Sequence, residues 1–129
     1  MGESALGFLL RSLREERGLS LREAAQLAEL DHAYIHRLET GEKESPSEEA
    51  LAKLIRALKP PKRESEILQF VAANATVRPD LIVFVRDDPS VTYAEFSALS
   101  GIAFRGPARP DYKTMLARIR KILGSENGV

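Results

Sequence analysis

The chain has 129 residues, no cysteine, 29% charged residues and a formal net charge of zero. Without cysteine there is no disulfide framework and no thiolate metal site. The longest compact apolar run, Leu81 to Val85, is far short of the ~20 residues a membrane-spanning helix needs, and the N-terminus has no signal-like pattern, so a cytoplasmic location is expected.

The length fits one ordinary domain or two very small ones. Charge is spread evenly: residues 1–64 hold 11 Lys/Arg against 12 Asp/Glu, and residues 65–129 hold 8 against 7. Any partner rich in phosphate must be held by local placement of cations, because no broad basic field exists.

In chain order, Leu6, Leu9, Leu10 and Leu13 recur at helical spacing and predict a first helix over 4–17, stopped by Gly18. Ser20-Leu21-Arg22-Glu23 is a capping box that opens a second helix, Leu21 to about Ala28, in which Ala24 and Ala25 let a neighbour approach. After a break at Glu29-Leu30, Asp31 caps a third helix, His32 to about Thr40, ended by Gly41. Ile35 and Leu38 give it a buried side, with His32, Ala33, His36 and Arg37 mostly opposite. A fourth helix follows Pro46-Ser47 with the stripe Leu51, Leu54, Ile55, Leu58 and stops at Pro60-Pro61. A fifth, Lys62 to about Ala75, would bury Ile67, Leu68, Phe70 and Val71.

Residues 76–80 look like a linker, and residues 80–86 suit either a short buried helix or a strand. Thr92-Tyr93-Ala94-Glu95 is a second capping box, opening a helix that ends at Ser100-Gly101 with Phe96 and Leu99 inward. A loop from Ile102 to Pro110 precedes a last helix that begins near Asp111 and carries Tyr112, Met115, Leu116, Ile119, Ile122 and Leu123 on one wide face. Three helices in about 50 residues bury little on their own, so that face is expected to meet its twin on a second copy, in a two-fold dimer.

Two helices of about eight residues joined by a tight turn, inside a five-helix unit, make a helix-turn-helix arrangement. The run LRSLREERGLSLREAAQLAELDHAYIHRLETGEKESPSEEALAKLIRAL resembles the XRE, or Cro-type, phage-repressor superfamily. Its pattern is a basic first helix, Gly-Leu-Ser, a small-residue second helix, Tyr-Ile-x-x-Leu-Glu-x-Gly in the third, then Pro and a Leu-rich fourth. The resemblance implies an all-α chain: a five-helix lambda-repressor-like helix-turn-helix DNA-binding domain over 1–75, the linker, and a small helical dimerisation domain over 81–129. It implies a third helix lying in the major groove of a double-stranded DNA operator. His32, Ala33 and Arg37 would meet base edges, with His36 nearby, and Ser20, Arg22, Thr40 and Lys43 would lie near the DNA backbone. Arg37 is favoured for specificity, because a guanidinium can bond both acceptors of guanine. Arg14 and Glu39 match an ion pair tying the first helix to the third. Relatives usually carry glycine in the turn where this chain has Glu29, so Glu29 is expected to be strained. Glu42, Glu44, Glu48 and Glu49 make the region after the third helix acidic.

The segment LSGIAFRGPARPDY with RIRKIL at 118–123 is similar to the C-terminal end of the DdrO family, XRE repressors of the radiation and desiccation response. That resemblance implies a homodimer formed through Phe96, Leu99, Tyr112, Met115, Leu116, Ile119, Ile122 and Leu123. It also implies inactivation by a partner zinc metalloprotease that cuts at Phe104–Arg105. Pro107 stands where relatives often have a basic residue.

His32 and His36 are spaced for one metal, but the intervening glutamate of a zinc-protease motif is missing and no third ligand is evident. A solvated, groove-facing pair is expected, with no metal and no cofactor. The cluster Arg105 to Lys121 holds six basic residues against Asp111 and reads as a solvated helix face. No Gly-rich phosphate loop, nucleophile triad or carboxylate pair stands out, so no enzyme activity is expected. The expected function is a cytoplasmic, nucleoid-associated transcriptional repressor; the alternative is a helix-turn-helix protein-binding adaptor or antitoxin-like module with little DNA affinity.

Overall fold

The computed structural model describes residues 4–43, 45–102 and 111–126, and within these the chain is helical throughout, with no strand. The elements are α1 (Ala5–Glu16), α2 (Leu21–Ala28), α3 (His32–Thr40), α4 (Glu48–Leu58), α5 (Lys62–Ala73), α6 (Pro79–Asp87), α7 (Tyr93–Ser100) and α8 (Tyr112–Glu126).

Side-chain caps mark where most of these helices start. Ser4 Oγ accepts from the Gly7 amide at 2.9 Å, Asp31 Oδ1 from Ala33 at 3.0 Å and Ser47 Oγ from Ala50 at 3.1 Å. Both expected capping boxes close: Ser20 with Glu23, and Thr92 with Glu95. Each relieves amide hydrogens that a helix start leaves unpaired. The residues between Asp80 and Arg86 are helical, for two reasons. Pro79 occupies the first turn, where its fixed φ and missing N–H are harmless. Leu81, Ile82 and Val85 are buried while Val83 is exposed, a period near 3.6, where a strand would alternate.

The first five helices and the last three share one continuous core. α1 lies against α3, α5 and α6; α2 packs on α3 and α4; α7 joins α5 to α8. Leu9, Leu10, Leu38, Leu68, Ile82 and Phe96 belong to the same buried cluster. The α5–α7 seam is aromatic: Phe70 stands edge-on to Phe96, with ring centres 5.4 Å apart. Polar groups cross the α1–α5–α6 junction. Arg86 pairs with Glu16 and donates to Glu64 at 2.9 Å, and Glu64 also accepts from Arg63 at 2.6 Å. Arg63 in turn donates to the carbonyl oxygens of Asp88 and Val91.

This packing changes the expectation for the C-terminal apolar residues. Phe96, Leu99, Tyr112 and Leu116 are buried within a single chain: α5 and α6 pack on α7, and α7 packs on α8, which supplies cover that a second copy was expected to provide. Met115 and Ile119 are half-buried against the same core. Leu123 is intermediate, and Ile122 is 60% exposed. What α8 leaves to solvent is therefore a narrow edge near its C-terminus rather than the whole stripe. Among the described residues no helix is long and apolar enough to cross a membrane.

Candidate nucleic-acid interface

The arrangement around α3 is set by what holds its inner side. Ile35 and Leu38 are buried in the core. Glu39, 5% exposed, accepts two bonds from Arg14: from Nε at 2.7 Å and from Nη2 at 2.9 Å. The remaining Arg14 nitrogen, Nη1, donates to the Leu19 carbonyl at 2.8 Å. One guanidinium thus joins α1, the α1–α2 turn and α3. The bonds to Glu39 raise the affinity of Arg14 for its proton beyond the usual arginine value, against the opposing pull of burial. At the other end of α1, Gly7 meets the backbone of α3 directly: a Cβ there would stand 2.5 Å from the Glu39 carbonyl oxygen.

The turn before α3 is tight. Glu29 adopts the left-handed conformation, with φ 57° and ψ 44°, and its amide donates back to Gln26. That is the conformation expected where relatives place glycine. Gly41 ends α3 at φ 85°.

With its inner side fixed, α3 turns the opposite face outward. His32, His36 and Thr40 are exposed, and Ala33 and Arg37 are half-exposed between them. Positions 32, 33, 36, 37 and 40 fall on one side of a helix by period. Ser20 and Arg22 are exposed at the start of α2, and Lys43 is exposed just after α3. Three shallow hollows flank the helix. Arg22 and His32 border one, His36 and Thr40 a second, and Arg37 and Lys43 a third. The residues named from sequence are thus brought onto one surface. Among the described residues, Arg22, Arg37 and Lys43 form no ion pair there, whereas Arg14, Arg63, Arg78, Arg86 and Arg120 are engaged with carboxylates. Acids also border this surface: Asp31, 3.7 Å from His32 Nδ1, and Glu29 line one hollow, Glu39 lines another, and Glu42 is exposed beside Lys43. Among the described residues, no group of three or more His, Asp or Glu side chains is placed to hold a metal ion.

Tyr34 belongs to this surface and was not among the residues expected there. Its hydroxyl accepts from the Ser47 amide at 3.3 Å, and the Lys43 ammonium stands 5.5 Å from its ring centre. The signal was an aromatic one turn ahead of Leu38 in the third-helix motif, but a contact with a loop nine residues away is not legible in helix period. Phe104 and Arg105, the expected cleavage site, lie outside the described residues.

Comparison with known proteins points to the same segment. Residues 5–66 match a family model described as a helix-turn-helix domain. No curated protein matches the chain. Among solved structures, it is similar to the clp gene regulator ClgR from C. glutamicum, at 36% identity over 57% of this chain and 90% of that one, with a TM-score of 0.45. Residues 5–66, which hold α1 to α4 and the start of α5, are a helix-turn-helix domain.

Proposed function

We propose that this chain is a sequence-specific DNA-binding regulator of transcription, with α3 as the helix that reads the major groove. The observation that carries the reading is the asymmetry of α3. Its inner face is locked by Ile35, Leu38 and the Arg14–Glu39 pair, while His32 and His36 stand exposed and Ala33 and Arg37 half-exposed on the opposite face. Arg37 is assigned to guanine, His32, Ala33 and His36 to neighbouring base edges, and Ser20, Arg22, Thr40 and Lys43 to phosphates.

The same reading includes repression by a homodimer on a pseudo-palindromic operator. A chain of zero net charge gains little from long-range attraction to DNA. Linking two reading helices raises affinity by effective concentration, by factors of about 10²–10⁴ in general. The exposed Ile122, with the half-buried Met115, Ile119 and Leu123 beside it, gives α8 an apolar edge suited to a two-fold contact. The similarity of the C-terminal segment to DdrO-type repressors supports inactivation by a zinc metalloprotease that cuts between Phe104 and Arg105. The reading places the protein in the cytoplasm, at the nucleoid.

Selection of the full chain against a random duplex pool, followed by anisotropy titration at several salt concentrations, tests this. Enrichment of one pseudo-palindrome with half-sites about 10 base pairs apart is expected. So is a linear fall of log K with log salt. No enrichment, together with indifference to duplex at low ionic strength, would leave the adaptor reading in its place.

A further inference from the structure

The loop that leaves α3 is tied to one side chain from two directions. Lys43 donates its backbone amide to the Arg37 carbonyl at 3.0 Å, which folds the loop back along α3. Its ammonium then lies 5.5 Å from the centre of the Tyr34 ring, within the roughly 6 Å over which a cation is attracted by an aromatic face. The Tyr34 hydroxyl accepts from the Ser47 amide at the start of α4. Ser47 spends its own hydroxyl oxygen on the Ala50 amide, so the two contacts do not compete. Tyr34, Arg37, Lys43 and Ser47 border one open hollow beside the outward face of α3. A lysine on a loop is otherwise a point charge on four rotatable bonds, and fixing it in advance lowers the entropy lost on binding.

We propose that Tyr34 is a positioning residue that holds Lys43 toward a DNA backbone phosphate at the edge of the groove. The ring restrains the ammonium, and the hydroxyl keeps the loop and the start of α4 at a fixed distance from α3. Tyr34 itself touches neither base nor phosphate. The assignment rests on the DNA-binding reading above, and its ligand is the phosphate backbone of a duplex rather than any base sequence.

The test is the salt dependence of duplex binding by the full chain, with Lys43→Ala, Tyr34→Leu, Tyr34→Phe and the double variant Tyr34→Leu/Lys43→Ala. Removing one phosphate contact lowers the slope of log K against log salt by about 0.9 per site. Lys43→Ala and Tyr34→Leu should each give that loss, the double variant no more than either alone, and Tyr34→Phe, which keeps the ring but loses the hydroxyl's hold on the Ser47 amide, a smaller part of it, with the preferred sequence the same throughout. A Tyr34→Leu slope equal to wild type, or losses that add in the double variant, overturns the proposal. Should Tyr34→Leu fail to fold, the wild-type chain decides by NMR. Lys43 side-chain methylene protons should be shifted upfield by the ring, and ordinary lysine shifts overturn the assignment. A wild-type chain that ignores duplex DNA removes the functional reading itself, an outcome distinct from any change confined to the variants.

Discussion

Arg14 and Glu39 are 25 positions apart in sequence and meet in a two-pronged bond at the base of α3, with donor–acceptor distances of 2.7 and 2.9 Å. Glu39 is almost wholly buried, and Arg14 is the charge that compensates it. Removing one partner of such a pair leaves a buried charge without a counter-ion, which costs about 3–5 kcal/mol. Arg14→Ala should therefore lower the free energy of unfolding, measured by urea denaturation, by an amount in that range. Arg14→Ala with Glu39→Leu, which removes both charges, should recover most of the loss. A double variant no more stable than the single one would mean the pair acts through packing of the arginine stem alone.

Gly7→Ala reverses the ordinary rule for helices. Replacing glycine by alanine inside a helix usually stabilises by roughly 0.5–1 kcal/mol. Here the added methyl group would stand 2.5 Å from the Glu39 carbonyl oxygen and 2.6 Å from that of Leu38. Both atoms are backbone, so α1 and α3 must separate. Overpacking of this kind costs about 1–3 kcal/mol, and the thermal midpoint should fall. A rise would show that α1 can shift without loss.

Glu29→Gly should act in the opposite direction. A side chain at φ 57° carries a steric cost of about 1–2 kcal/mol that glycine avoids, offset in part by the greater freedom of glycine in the unfolded chain. A net gain of about 1 kcal/mol in chemical denaturation is expected, with the preferred DNA sequence unchanged. An unchanged or lowered midpoint would mean that the carboxylate makes up for the strain.

The positions of these features show what the sequence could convey. Ser20, Asp31 and Thr92 were legible as helix starts because capping is local, and Glu29 was legible as a strained turn because one residue's conformation decides it. The spacing of Leu81, Ile82 and Val85 contained the helix of α6, but five apolar residues in a row masked the period. The fate of Phe96, Leu99 and Leu116 was not legible. Periodicity tells which side of a helix is buried but not what buries it, and here the cover comes from within the chain, α5 and α6 on α7 and α7 on α8. The outward face of α3 was visible as period. The Tyr34–Lys43 contact was not, because it depends on how the loop after Gly41 folds back.

Arg37→Ala should separate recognition from folding. Arg37 sits half-exposed on the outward face, and among the described residues its guanidinium makes no ion pair. Its removal should leave the melting curve nearly unchanged and relax preference at one operator position by about 1–3 kcal/mol, the usual worth of a bidentate base contact. Binding measured against operators changed one pair at a time checks this. A uniform loss across all of them would reassign Arg37 to a phosphate.

Acid should loosen α8 before it unfolds the rest. Glu95 accepts from Arg120 Nε at 3.0 Å and from the Thr92 amide at 2.9 Å, so it both caps α7 and anchors α8. Burial pushes its carboxyl up, but Arg120 and Thr92 outweigh that and hold it below the ordinary 4.5. A carboxyl with a depressed value in the folded chain contributes stability that is fully present above its unfolded value and lost as pH falls through the folded one. The contribution should thus be intact at pH 6 and be lost as pH falls through the lowered value Glu95 has in the folded chain, with amide exchange rising first in α8. Tyr112 gives α8 a second tie through its 2.7 Å bond to Asp80, so loosening should begin at the Arg120 end. Glu95→Gln keeps the shape and removes the titration, and it should make the stability of α8 flatter with pH from 6 to 3. If the wild type and this variant lose α8 in parallel as acid is added, the helix is held by Leu116 and its apolar neighbours rather than by the Glu95–Arg120 pair.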